Sequence, residues 1–225
     1  MAPWLADVCV LIRDCVMVRG MSSVSVKRRG ATGGAVANKR ERRSELRARR
    51  REIAARRDLA ADGERLAERA LAVIEEYARA GGDLTAEQGI TITAYEPLPV
   101  EPDVSALVRR AYDLGVRVLM PITLPGLDLD WAEWSPDGLG RPLGLDAIAE
   151  VDDAFIPGLS VDVKGTRMGQ GGGCYDRSLP RLRPGTPVIC ILHPGEDRTR
   201  PMLPRERHDV PVDAVLTATG LRRIA

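Results

Sequence analysis

The sequence predicts an α/β fold: a mostly parallel sheet with helices on both sides, in three layers, carrying a helical arm at its N-terminal end. Three observations predict it. Segments with alternating or unbroken apolar patterns take turns with segments of helical period, the order that builds parallel sheets. VRVLMPIT (116–123) and PVICILH (187–193) are nearly continuous apolar runs, as strands covered on both faces require. Aromatic residues are few, with one Phe, three Trp and four Tyr, so Val, Leu, Ile and Ala must fill the core.

Residues 1–38 show no sustained period and include Gly30, Gly33 and Gly34. They are expected to form a poorly ordered leader, with Met21 or a later codon as a candidate natural start. Asp7, Arg13 and Asp14 interrupt the apolar opening, and no stretch reaches the roughly 18 apolar residues of a membrane span. From Lys39 the pattern becomes helical. A first helix is expected from about Asn38, as N-cap, to near Arg57. Asp62-Gly63 marks a break, and a second helix should end at Gly81-Gly82.

GITITAYEP (89–97) alternates and is β-branched, which predicts a strand. EPDVSALVRRAYDLG (101–115) is an amphipathic helix with Val104, Leu107, Val108 and Ala111 on one face and Gly115 as its stop. VRVLMPIT follows as a buried strand and LDLDWAEWS (127–135) as an edge strand. Residues 142–153 are loop-like. AFIPGLSVD (154–162) reads as one strand that leads into a glycine-rich segment. CYDRSLPRL (174–182) begins a helix that Pro180 should stop early. PVICILH and DAVLTATG (213–220) complete the sheet. Residues 39–225 therefore read as a single Rossmann-like domain.

Charge is balanced, 33 basic against 32 acidic residues, so net charge does not suggest a polyanion binder. Cys9, Cys15, Cys174 and Cys190 form no C-x-x-C pair and no zinc spacing with His193 and His208, which predicts reduced thiols and a cytoplasmic location. A monomer with no membrane or nucleic-acid partner is expected. The arginine-dense helix 39–57 leaves two readings open. One is a solvated face of Arg/Glu pairs, which suits Arg47, Arg49, Arg50 and Arg51. The other is a nucleic-acid-binding arm, although no aromatic residues are interleaved for base stacking.

The segment KGTRMGQGGGCYDR (164–177) asks for a different explanation. Each Gly within a helix or strand costs roughly 0.5–1 kcal/mol relative to Ala. Gly169, Gly171, Gly172 and Gly173 around Gln170 therefore suggest backbone that approaches a ligand. Strand, glycine loop and helix in that order can cradle phosphate, with Arg167 and Arg177 as cationic donors. The spacing is neither a Walker A loop nor G-x-G-x-x-G, so a structural glycine turn stays open beside phosphate binding. A Cys174 thiolate paired with His193 or His208 is a third reading, which no motif supports.

RMGQGGGCYDRSL resembles the R-L-G-x-G-G-G-Y-Y-D-R-x-L signature of the 5-formyltetrahydrofolate cyclo-ligase family. KRERRSELRARRR resembles that family's N-terminal K-x-x-x-R helix, and AYEPLPVEPDV its glutamate-containing stretch. VRVLMPIT resembles its apolar strand ending in Pro, and LPRERHDVPVDAVLTATG its closing H-D-V-P-V-D segment. The resemblance implies ATP- and Mg²⁺-dependent closure of 5-formyltetrahydrofolate to 5,10-methenyltetrahydrofolate, with release of ADP and phosphate.

It further implies that Lys39 and Arg43 hold ATP from one helix face, with Arg167, Met168, Gly169, Gln170, Gly171, Gly172, Gly173, Cys174 and Tyr175 as the nucleotide cradle. Lys39, Arg167 and Asp176 would carry the catalysis. Asp176 and Asp209 would bind Mg²⁺; an N-cap and a turn aspartate are their plainer readings. Residues Gln170 to Cys174 would also meet the folate, together with Glu96 and Glu101. Trp134 is placed either against the pterin or as a buried edge-strand side chain. Cys174 departs from the family's first Tyr, which leaves open a cyclo-ligase-like fold with altered or lost activity.

Overall fold

The computed structural model describes residues 33–79, 89–200 and 202–224. Most of the leader, and the Gly81-Gly82 stop, lie outside them. Helix α1 (Gly33–Ala54) begins earlier than Asn38. The break expected at Asp62-Gly63 falls instead between α1 and α2 (Leu59–Arg79). Gly63 sits inside α2 because the helix runs against the loop ahead of α3, where a Cβ would stand 3.1 Å from the Asp103 carbonyl oxygen. Asp62 is buried there and takes hydrogen bonds from Arg57 and Arg65.

The main sheet contains β1 (Thr91–Thr93), β2 (Arg117–Thr123), β3 (Leu129–Ser135), β4 (Gly138–Leu139), β5 (Asp153–Pro157), β8 (Val188–Ile191), β10 (Ala214–Thr217) and β11 (Gly220–Arg223). Their order is β11-β10-β8-β5-β1-β2-β3-β4. The central pairs β10–β8, β8–β5, β5–β1 and β1–β2 are parallel, and both edges are antiparallel. Helix α3 (Ser105–Asp113) makes the crossover from β1 to β2. Gly115, at φ +77°, follows the helix as its stop.

Strand residues alternate between two cores, as a sheet covered on both faces demands. Phe155, Ile189, Ile191 and Leu216 face Leu66, Ala70 and Ile74 of α2 and Leu107 and Ala111 of α3. Ile156, Val188, Cys190 and Val215 face the other way. That second face is covered by two 3₁₀ turns, Leu145–Glu150 and Leu179–Arg181, and by the short helix α4 (Cys174–Ser178).

The expected strand 154–162 is two strands. The chain leaves the main sheet after Pro157 and enters a three-stranded sheet of β6 (Ser160–Asp162), β7 (Arg167–Met168) and β9 (Asp197–Thr199). Arm α1 packs on this smaller sheet with Leu46, which meets Leu159, Met168 and Leu203. So small an apolar contact cannot fix a 22-residue helix alone, and charged side chains supply the rest.

Asp153 opens β5 with its side chain buried and its Oδ2 lacking a hydrogen-bond partner. Burial first, and then the neighbouring Asp152, raise its pKa from 3.8 to about 7. The unfolded chain gives up this proton near the ordinary carboxylate value while the folded chain retains it. Stability therefore falls as pH rises through that window. Asp153→Asn should raise Tm at pH 8 by more than at pH 5, the gain at pH 8 being about 2–4 °C per kcal/mol recovered. Calorimetry at the two pH values checks this, and equal shifts would contradict it.

Candidate active site

The residues of α1 that turn inward define one wall of a cavity of about 400 Å³. Lys39 and Arg43, one helical turn apart, both line it. Lys39 is buried, with its Nζ 2.6 Å from Asp209 Oδ2 and 3.2 Å from Glu206 Oε2. Burial alone would raise the Asp209 carboxyl. The hydrogen bonds from Lys39 and from the Glu206 N–H outweigh burial and hold it below its ordinary value. Burial, and then the neighbouring Arg47, lower the pKa of Arg43.

A second wall is the glycine loop. It runs from β7 to α4, and Met168 to Asp176 all line the cavity. Two close approaches explain its glycines. A Cβ on Gly169 would lie 2.8 Å from an Arg167 terminal nitrogen, and Gly171, at φ +114°, stands with its open side 3.4 Å from Arg43. Arg167 is thereby pressed against the loop. It donates to Asp176 Oδ1 at 2.9 Å, and its guanidinium carbon lies 5.7 Å from the Tyr175 ring centroid. Its Nε and that of Arg43 are buried without hydrogen-bond partners. Such donors are costly to leave unpaired and suit an anion. Helix α4 has only five residues, so its dipole adds little and side-chain cations and loop N–H groups dominate.

Asp176 and Asp209 line the same cavity, and Asp176 Oδ1 accepts at 3.4 Å from the N–H of Val210, the residue after Asp209, while standing outside the tighter carboxylate group that contains Asp209. Glu206, which the sequence reading missed, joins them in the cavity wall. Glu206, His208 and Asp209 place ligand atoms within 4.8 Å of one another. Carboxylate oxygens of this kind are the hard donors that Mg²⁺ prefers.

Glu101 and Glu96 form the third wall, in the loop between β1 and α3. Glu101 is buried, accepting from the Leu98 N–H and, at 3.0 Å, from Gln170 Nε2. Glu96 is exposed at the edge of the cavity, where partial desolvation, followed by Asp103, raises its carboxyl. Trp134 is not among the cavity residues. It lies near the far end of β3 and packs edge-to-face on Tyr112, with centroids 5.5 Å apart. The edge-strand reading of that residue is the one the geometry supports.

The solvated-face reading changes for two arginines. Arg50 is not on a solvated face but is 1% exposed, and Arg47 binds Gln170. The Cys174–His pairing finds no support: His193 Nε2 contacts the Val100 carbonyl at 3.1 Å, and His208 stands beside Glu206 and Asp209.

A profile of the 5-formyltetrahydrofolate cyclo-ligase family matches residues 35–218. The chain belongs to the 5-formyltetrahydrofolate cyclo-ligase family. A 5-formyltetrahydrofolate cyclo-ligase of Mycolicibacterium smegmatis is 35% identical over 146 residues, 57% of this chain and 74% of that protein. The cyclo-ligase fold is also seen in solved structures. A 5,10-methenyltetrahydrofolate synthetase from Mycoplasma pneumoniae superposes with a TM-score of 0.58 at 18% identity, over 80% of this chain and 99% of that one. The Aquifex aeolicus 5,10-methenyltetrahydrofolate synthetase gives 0.57 at 22% identity, over 81% and 92%. At these identities the likeness is one of fold. The match begins at residue 35, so the α1 cations belong to the family's domain. Among the described residues, no helix is long and apolar enough to cross a membrane.

Proposed function

We propose that this cyclo-ligase family member closes 5-formyltetrahydrofolate to 5,10-methenyltetrahydrofolate with conversion of ATP to ADP and phosphate, the formyl oxygen leaving in the phosphate, assisted by Mg²⁺. The observation that carries the reading is the meeting, in one cavity, of two cations with unpaired buried donors, a glycine loop and three carboxylates. A triphosphate with its metal needs that combination, and a polyanion without a metal would not need the carboxylates.

Lys39, Arg43, Arg167 and the N–H groups of residues 169–173 would hold the phosphates. Asp176, Asp209 and Glu206 would hold Mg²⁺, which when bound neutralises charge on the transferring phosphoryl group. Lys39 already sits between Asp209 and Glu206, so it would share them with the metal and stand as a fixed cation beside the phosphates. Glu101 would accept from the pterin, and Glu96, its carboxyl raised by partial desolvation, would sit beside it. The chain's work is then positioning and charge stabilisation: bringing the formyl oxygen and the terminal phosphate together in a site whose donors are already aimed. Cys174 keeps its place in the cavity lining, but no aromatic face is offered there. Tyr175 remains beneath Arg167. ATP-dependent formation of the methenyl product, matched by phosphate release, is the test.

The arginine-rich arm gives less support to nucleic-acid binding than its composition suggests. Arg47 and Arg50 turn inward, and Arg49 is tied to the Gly195 carbonyl at 2.6 Å.

A further inference from the structure

Lys39, Arg43, Arg47 and Arg50 recur every three or four residues and so share one face of α1. The first two line the cavity. Arg47 and Arg50 do not, yet both are committed to residues that do. The Arg47 Nε–H donates to Gln170 Oε1 at 3.0 Å, and its terminal nitrogen donates to the Gln170 carbonyl at 2.6 Å. Gln170 Nε2 in turn donates to Glu101 Oε1. Arg50 approaches the same oxygen at 3.6 Å with a buried nitrogen that has no hydrogen-bond partner. Arg50 is itself fixed by two bonds to Glu196, at 2.6 and 2.7 Å, and by one to the Gly158 carbonyl.

Resting on the function proposed above, we propose that Arg47 is a positioning residue of the reaction. It acts through Gln170 to join the phosphate loop to the folate-facing carboxylate, Glu101. Gln170 lies between two glycines, one at positive φ, so its backbone has few steric restraints of its own. A two-point grip on its carbonyl and its side chain fixes both the loop and the rotamer. The amide then has one remaining direction, toward Glu101. Arg50 places its charge 3.6 Å from the same Glu101 oxygen, which favours the carboxylate staying turned toward the Gln170 amide. A loop displaced by phosphates would thereby shift the group that reads the second substrate.

The test is a double-mutant cycle on turnover, with Arg49→Ala as control. Arg49 also makes one bond from α1 to a backbone carbonyl, but away from the cavity. Arg47→Ala is expected to raise KM for 5-formyltetrahydrofolate about tenfold with a smaller change in kcat, the loss of its charge-assisted grip on Gln170. On KM for 5-formyltetrahydrofolate, Arg47→Ala combined with Gln170→Ala should be no worse than Gln170→Ala alone, to within about twofold, because the carbonyl bond that Gln170→Ala leaves in place no longer leads to Glu101. Amide exchange in residues 169–173 should quicken in Arg47→Ala and not in the control, a readout that needs no turnover. Effects that multiply in the double variant, or an Arg47→Ala enzyme matching Arg49→Ala, would overturn the proposal. A folded wild type with no turnover would instead overturn the assigned reaction, and Arg47's role in it.

Discussion

Lys39→Met is expected to lower ATP-dependent turnover by about 10²–10³-fold, the usual cost of removing one fixed charge-stabilising donor. The side chain is buried, its Nζ is within 3.2 Å of two carboxylates, and it faces the cavity that Arg167 also lines. Methionine retains the length and the apolar contacts but removes the cation. Asp209 and Glu206 then face each other without it, so phosphate affinity falls as well as rate. Arg49→Ala, on the same helix, should retain near-wild-type turnover. If α1 were instead a nucleic-acid arm, each variant would cause a small and similar loss with a steep salt dependence. Steady-state kinetics in ATP, run beside the control, separates the two.

The second large effect is expected from Glu101→Gln. Glu101 accepts from the Leu98 N–H and from Gln170 Nε2, and Arg50 lies 3.6 Å away. A carboxamide has only one acceptor oxygen, so its NH₂ must face at least one of these donors. Arg50 also loses part of the negative charge that balances it in a buried site. The expected result is KM for 5-formyltetrahydrofolate raised about tenfold or more, with stability reduced by about 1–3 kcal/mol. Kinetics and thermal unfolding on the same preparation test it. A change in Tm with unaltered KM would make Glu101 a structural residue only.

Much of this site was legible because its chemistry is local in sequence. The glycine loop announces itself by residue type, whereas Lys39 and Arg43 stood out from the other cations of their helix only through the resemblance of KRERR to the family's K-x-x-x-R helix. The parallel strands were legible from their apolar runs, since a strand buried on both faces has no polar side to show. What escaped depends on contacts distant in sequence. Asp62-Gly63 looks like a break, yet the glycine is needed inside α2 for close packing on the loop ahead of α3. The split of 154–162 follows from the chain's change of sheet after Pro157, where Arg50 takes the Gly158 carbonyl.

Arg47 and Arg50 were read as solvated because arginines in a charged run usually are. Their spacing from Lys39 and Arg43, 4 and then 3 residues onward, was the available signal. Glu206 lies in a loop, where its distance of three residues from Asp209 carried no comparable signal. Trp134 had no signal to separate pterin stacking from packing, because both call for a large, partly buried ring. Its T-shaped contact with Tyr112 depends on which face of the sheet α3 covers.

The measurement that bears most directly on the central claim is near-ultraviolet absorbance of the purified protein with 5-formyltetrahydrofolate, ATP and Mg²⁺, beside Asp176→Ala. Asp176 pairs with Arg167, accepts from the N–H of Val210 and lines the same cavity as Asp209. The expected result is growth of the methenyl product's absorbance in the wild type, absent without ATP or Mg²⁺ and largely lost in the folded variant. No product from folded wild-type protein would contradict the account, leaving a cyclo-ligase fold whose cavity, with Cys174 in its lining, serves a different reaction.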